Sequence, residues 1–307
     1  MPDGVLLMAY GTPASIGDVE RYYTHIRRGR PPEPARLAEL IGRYEAIGGS
    51  SPLLEISRAQ ASGLQAQLEQ RSAKRVRVEL GMKHAPPFIE DGVRALIDAG
   101  VGHAIGLVLA PHYSELSVGE YRERAQRASG DDLELEIIQQ WHLAPAYVEL
   151  LAGRVRQSLA SFPEHAREQI DVVFTAHSLP ARILGSGDPY PAQLRETAEA
   201  VAHRAGAAHW SIAWQSAGRT SDEWIGPDIL QVVRELAAAG SAGVVVCPAG
   251  FVSDHLEILY DLDVECRAVA QEVGLPYTRT ESPNADPAFL SALADVVLAR
   301  KEAVTAR

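Results

Sequence analysis

Two short runs in the sequence carry the same pattern with one changed residue. VVFTAHSLP, from Val172 to Pro180, places His177 at the end of an apolar stretch, and VLLMAYGTP, from Val5 to Pro13, places Tyr10 at the same point. An imidazole at a strand end can accept a proton near neutral pH or offer nitrogen to a metal. The ordinary alternative is a histidine satisfied by backbone. Ser178 does not read as a nucleophile, since AHSLP lacks the G-x-S-x-G elbow. A third run, FVSDHLEILYDLDVEC, spaces Glu257, Asp261 and Glu265 at i, i+4 and i+8, with Ser253 or Asp254 available to cap a helix. On an α-helix each four-residue step turns by only about 40°, so the carboxylates would form one stripe roughly 12 Å long. Such a stripe is either a solvated face or a track for cations and protons.

The opposite charge lies early in the chain. RYYTHIRRGRPPEP holds Arg21, Arg27, Arg28 and Arg30 around Tyr22 and Tyr23, with Arg43 and the GGSSP loop at Gly48 further on. Guanidinium groups grip carboxylates in pairs of hydrogen bonds, and aromatic rings lie against flat ligands, so this segment suits an anionic planar molecule as well as plain surface. His84 and His112, near other strand ends, read as structural.

The elements that must position these groups alternate short apolar runs with longer amphipathic ones, the pattern of parallel sheets covered by helices. Strands are expected at Val5–Ala9, Arg77–Leu80, Ala104–Leu109 and Leu133–Gln139, then at Asp171–Ala176, Trp210–Trp214, Gly243–Cys247 and Tyr277–Thr280. Helices are expected over Ile89–Ala99 and Pro227–Ala238, each followed by a glycine stop at Gly100 or Gly240. The halves resemble one another in order: GLVLAPHYS matches GVVVCPAGF with Pro111 and Pro248 137 positions apart, and APAYVELLAGRV matches DPAFLSALADVV. Glu120 aligns with Glu257 at the same offset and has no evident role. The expected fold is therefore α/β, with two similar Rossmann-like domains, each a parallel four-stranded sheet flanked by helices. Their division is expected at 1–145 and 146–307, with the last helix returning to the first domain. Open sheets of this kind bind ligands beyond the carboxyl ends of their strands, where Tyr10 and His177 both fall. No phosphate-cradling glycine motif follows either strand.

The 307 residues carry a net charge of −11 and a pI near 5.4, which argues against nucleic acid or anionic membrane as partners. Two cysteines, Cys247 and Cys266, are too few for a four-cysteine cluster or zinc site, and they fit a reducing cytoplasm. MPDGVLLMAYGTP has no basic segment ahead of a long apolar run, so neither a leader nor a transmembrane segment is expected.

AYGTP, YYTHIRRGRPPEP, RYEAIGGSSPL, KHAPPFIEDGV, LAPHYS, AHSLP, DPYPAQL, WQSAGRTSDEWIGPD and GFVSDHLEILYD, taken in order over nearly the whole chain, resemble the ferrochelatase family. The closest likeness is to its coproporphyrin ferrochelatase branch. The resemblance implies a metal chelatase that inserts Fe²⁺ into coproporphyrin III between the two domains, in haem biosynthesis. It implies that His177 and Glu257 flank the metal-insertion face and that Asp261 and Glu265 supply metal or regulate. Tyr10 would lie on the opposite face and ligate iron in the product, and Arg27, Arg43, Ser51 and Tyr121 would hold the propionates. It further implies substrates Fe²⁺ and porphyrin, no permanent cofactor, a cytoplasmic monomer and only transient contact with haem-pathway enzymes. The chain ends at VVLARKEAVTAR without a cysteine-rich or hydrophobic extension, so no iron–sulfur cluster or membrane anchor is expected. A protoporphyrin IX chelatase and a non-enzymatic porphyrin carrier are the competing readings.

Overall fold

The structure, a computed structural model, describes residues 4–72 and 75–305. Of the runs on which the expectations about leader and anchor bear, residues 1–3 and 306–307 lie outside the described residues. In chain order the first half contains β1 (Gly4–Ala9), α1 (Val19–Ile26), α2 (Pro34–Ala46), α3 (Leu53–Arg71), β2 (Arg77–Met82), α4 (Ile89–Asp98), β3 (His103–Val108), α5 (Glu120–Ser129) and β4 (Glu134–Ile138). α6 (Pro145–Ala160) leads into β5 (Ile170–His177), α7 (Arg182–Gly185), α8 (Tyr190–Ala205), β6 (His209–Gln215), α9 (Ile229–Ala239) and β7 (Gly243–Cys247). The chain continues through α10 (Leu256–Leu259), a π-helical turn over Asp261–Cys266, α11 (Arg267–Glu272), β8 (Tyr277–Arg279) and α12 (Pro287–Thr305).

All eight expected strands are present, with ends displaced by at most two residues. They form two parallel sheets of identical order, β2-β1-β3-β4 and β6-β5-β7-β8. β1 and β5 each sit between two neighbours and are buried on both faces, which is why Val5–Ala9 reads as an unbroken apolar run and Val172–Ala176 as one broken only by Thr175, whose hydroxyl is bonded to Gln215. The likeness of the halves reaches the backbone. Met82 donates to the Pro87 carbonyl at 2.7 Å and Trp214 to the Pro227 carbonyl at 2.9 Å, so each second strand is extended by the approach to its helix. That bond explains why α9 begins at Ile229 rather than at the expected Pro227: the proline is still in the sheet, and Asp228 Oδ1 caps the helix by accepting from Leu230 N–H at 2.8 Å. Gly100 and Gly240 stop their helices at φ of 75° and 82°.

The two sheets share one continuous core, in which Val5, Leu7 and Leu107 of the first half and Val172, Phe174 and Val245 of the second belong to a single apolar cluster. α6 and α12 close it. Tyr147 on α6 stacks edge-on against Trp141 with ring centroids 4.9 Å apart, and both lie 6.1 Å from the ring of Phe289 on α12. α12 also lies along α3 of the first half, where Arg71 pairs with Asp295 at 2.6 Å. Among the described residues no helix is long and apolar enough to cross a membrane.

Candidate active site

The carboxyl ends of both sheets face one cleft of about 260 Å³, lined from the first half by Tyr10, Lys83, His112 and Tyr121 and from the second by His177, Tyr190, Trp224 and Glu257. Two glycines let the backbones come this close. Gly11 turns the chain after Tyr10 at φ 100°, where a Cβ would lie 2.9 Å from the Ala85 nitrogen, and a Cβ on Gly250 would lie 2.5 Å from that of Ala176, next to His177.

His177 is the last residue of β5. Its Nδ1–H donates to the Ser178 carbonyl, which aims Nε2 at Glu257 Oε1, 3.5 Å away. Burial alone would depress this imidazole. The Glu257 charge and hydrogen bond and the Ser178 carbonyl outweigh it, raising His177 to about 9. Burial likewise works against the Glu257 carboxylate, yet His177 and His255 hold it well below the usual range. The two therefore favour an imidazolium paired with a carboxylate. Glu257 is also 3.5 Å from His255 Nε2, and its carbonyl accepts from Gln215 Nε2 at 2.9 Å, with Gln215 fixed in turn by Thr175. His255 and Gln215 were missed in the sequence. His255 lies two residues from Glu257 in the same motif, whereas nothing in the spacing marks Gln215.

The acidic stripe is bent rather than continuous. α10 is one turn long, and at Tyr260 the carbonyl accepts from both Val264 and Glu265, at 3.1 and 2.9 Å, so the helix widens into a π turn beneath Asp261. The expected cap is also different. His255 occupies the N-cap without a side-chain bond, because Asp254 is already held by Arg279, Ser282 and Asn284, and Ser253 accepts from Gln60. Asp261 is buried and accepts from Ser216 Oγ at 2.5 Å; burial first, then the Glu257 charge, raises its carboxyl to about 7. Glu265 is half-buried and adds a smaller charge effect on Asp261. Among the described residues no group of three or more His, Cys, Asp or Glu side chains is gathered to hold a metal ion. Glu257, Asp261 and Glu265 follow one another along the stripe instead.

Tyr10 faces open cleft, its ring 4.7 Å from that of His84, and burial followed by the Glu257 charge keeps its phenol protonated. Tyr121 lines the same wall under the Lys83 ammonium, 5.1 Å from its ring. Glu120, without a role in the sequence, pairs with Lys83, and with Arg28 at 3.6 Å. The four expected propionate partners are not equally available. Arg27 is exposed, lies 5.8 Å from the Tyr23 ring and has no acidic partner among the described residues. Ser51 Oγ accepts from Leu53 N–H at 3.3 Å at the start of α3. Arg43 lies across the interface on the acidic stripe, 3.5 Å from Asp261 and 4.9 Å from the Tyr260 ring.

A family model described as Ferrochelatase matches residues 2–301. The chain belongs to the ferrochelatase family. Among its relatives is a protein of Geobacillus kaustophilus named coproporphyrin III ferrochelatase, 47% identical over 97% of this chain and 95% of that protein. Proteins of the same name from Bacillus mycoides and Bacillus subtilis are 48% and 46% identical, covering 98% and 96% of both chains respectively. Among solved structures, the sirohydrochlorin chelatase SirB of Bacillus subtilis subspecies spizizenii with cobalt superposes at a TM-score of 0.60 and 12% identity, covering 98% of this chain and 96% of its own. CbiX, a terminal enzyme of sirohaem biosynthesis in denitrifying bacteria, superposes at 0.58 and 14%, with 96% and 98% covered. At that identity they share the fold, two parallel four-stranded sheets, and this ferrochelatase is a metal chelatase built on it.

Proposed function

We propose that this ferrochelatase inserts Fe²⁺ into coproporphyrin III, releasing two protons and giving coproheme for haem biosynthesis in the cytoplasm. The observation that carries the reading is the His177–Glu257 pair aimed into a cleft whose other wall is Tyr10, combined with near-half identity to relatives named for that reaction. The cleft falls just short of the roughly 300–1,000 Å³ typical of small-molecule sites, so a tetrapyrrole lies partly in the mouth, with its carboxylates outside among Arg27, Ser51 and Arg43. Gripping those edges can also offset the strain of tilting pyrrole nitrogens toward the metal.

His177 and Glu257 work on one face of the ring. A cation approaching along Glu265 and Asp261 would meet the Glu257 carboxylate and displace the His177 proton to water; the freed Nε2 and the carboxylate would then receive the two pyrrole protons, and loss of the one on Glu257 restores the starting pair, so two protons leave per ion. Tyr10, on the other face, offers a phenolic oxygen to iron once it is in the ring. No resident cofactor is needed. A simple carrier would leave the charged pair and the stripe behind it without work. His177→Ala should keep coproporphyrin binding, followed by fluorescence quenching, while anaerobic Fe²⁺ insertion falls by at least about 100-fold. Turnover near that of the unmodified protein would remove His177 from the reaction.

A further inference from the structure

Insertion exchanges one Fe²⁺ for two pyrrole protons, so the cleft recovers its charge only when both protons have left it. A ring seated in the mouth, as proposed above, would stand between the cleft and bulk water. Away from the acidic stripe, the cleft touches one buried imidazole that the reaction described above does not use, and a second lies behind it. His112, in the loop after β3, lines the cleft and is 2% exposed, with Nε2 2.9 Å from Thr197 Oγ1. His142 is 4% exposed, its ring 5.5 Å from that of His112, and its Nε2 lies 2.8 Å from Glu196 Oε2. The Glu196 carboxylate side chain is 53% exposed. Tyr190 connects this pair to the catalytic face: its ring meets His112 edge-on at 6.1 Å, and its hydroxyl donates to the His177 carbonyl at 3.0 Å.

The partners settle both tautomers. The Thr197 hydroxyl donates to the Gln193 carbonyl at 3.1 Å, so its oxygen accepts from His112 Nε2–H. A carboxylate only accepts, so His142 Nε2 carries hydrogen toward Glu196. Each ring is left with a bare Nδ1 lone pair, and both Nδ1 atoms are buried without a partner. An unpartnered buried acceptor on each of two adjacent rings is a place where a passing proton can be held. Burial, with His142 beside it, pushes His112 down to about 3, so it rests neutral and passes on any proton it receives.

We propose that His112, His142 and Glu196 form a proton exit from the cleft to the surface of α8, separate from the acidic stripe. The inference rests on the insertion reading of the site. A proton released in the cleft binds the Nδ1 lone pairs of the His112–His142 pair, His142 gives its Nε2 proton to Glu196, and Glu196 gives it to bulk water. A turn of the His142 ring restores the starting tautomer. Only N–H and O–H bonds are exchanged, so no oxidant, reductant or co-reactant is required.

The test uses the full chain in anaerobic single-turnover Fe²⁺ insertion into coproporphyrin III, in light and heavy water, at low and high concentrations of imidazole buffer. Glu196→Gln is a surface change that keeps the fold, and His142→Gln removes the next station. Both should bind porphyrin normally, insert at least about fivefold more slowly in dilute buffer with a larger solvent isotope effect, and recover in concentrated imidazole. An unchanged rate in Glu196→Gln would overturn the exit, as would a slowing that no buffer concentration relieves, which marks a structural role. Should His142→Gln not fold, Glu196→Gln alone decides. Absence of insertion by the unmodified protein would instead overturn the function, and the exit with it.

Discussion

His177 and Glu257 hold one another in their charged forms, and that coupling has a sign that can be measured. Burial by itself lowers His177, and Glu257 supplies most of what raises it to about 9. In Glu257→Gln the histidine should therefore titrate below its ordinary value of about 6.5, read from its imidazole NMR signals over pH. A titration point still near 9 would assign the shift to another group. For the unmodified protein the same coupling makes metal compete with a proton. Between about pH 6 and 8, affinity for a redox-stable probe such as Zn²⁺ should rise with pH, with one proton released from His177 and up to a second from Asp261, whose carboxyl is raised to about 7. Affinity independent of pH would contradict the pair. The types and spacing of His177, Glu257, Asp261 and Tyr10 were legible in the sequence, because each lies at a strand end or within one short motif. The protonation state was not, since it depends on burial and on a contact between residues 80 positions apart. Arg43 illustrates the same limit: a motif marks it for a substrate carboxylate, and only the fold brings it onto Asp261.

At the scale of elements, the site depends on how tightly β5, β7 and the turn before α10 are pressed together. Gly250 donates to the Thr175 carbonyl at 2.9 Å, and any side chain there would meet Ala176. Gly250→Ala should cost about 1–3 kcal/mol in urea unfolding and lower kcat by displacing His177, with KM for porphyrin little changed. Unaltered kcat would mean that the loop and His177 move independently. The central strands β1, β5 and β7 were readable because strands buried on both faces are largely apolar along their length, and the more polar β2, β4, β6 and β8 followed from their place in the alternation with helices. The widening of the helix at Tyr260 was not, because an i+4 pattern of carboxylates looks the same on an α-helix as on one interrupted by a π turn. Nor was the loss of the Asp254 cap, which follows from three partners 25 to 30 residues away.

Across the whole molecule the two sheets are copies in topology that have diverged in charge, so one cleft has a phenol on one wall and an imidazole–carboxylate pair on the other. Its width is set by the core that joins the halves. Phe289 is fully buried between Trp141 and Tyr147, so Phe289→Ala should cost about 3–5 kcal/mol and broaden thermal unfolding as the halves uncouple. A single sharp transition with unchanged midpoint would show that the halves are held together elsewhere. The duplication itself was visible in matched runs such as GLVLAPHYS and GVVVCPAGF, whereas the aromatic joint was not, since Phe289 reaches Trp141 and Tyr147 from more than 140 positions away. The central claim is insertion of iron into a tetrapyrrole with carboxylates enough for the basic edge of the cleft. The most direct measurement is the initial rate of anaerobic Fe²⁺ insertion by the purified protein, followed by absorbance, with coproporphyrin III and protoporphyrin IX in parallel. Faster insertion into coproporphyrin III is the predicted result. Tight binding of both rings without protein-dependent insertion would contradict the account.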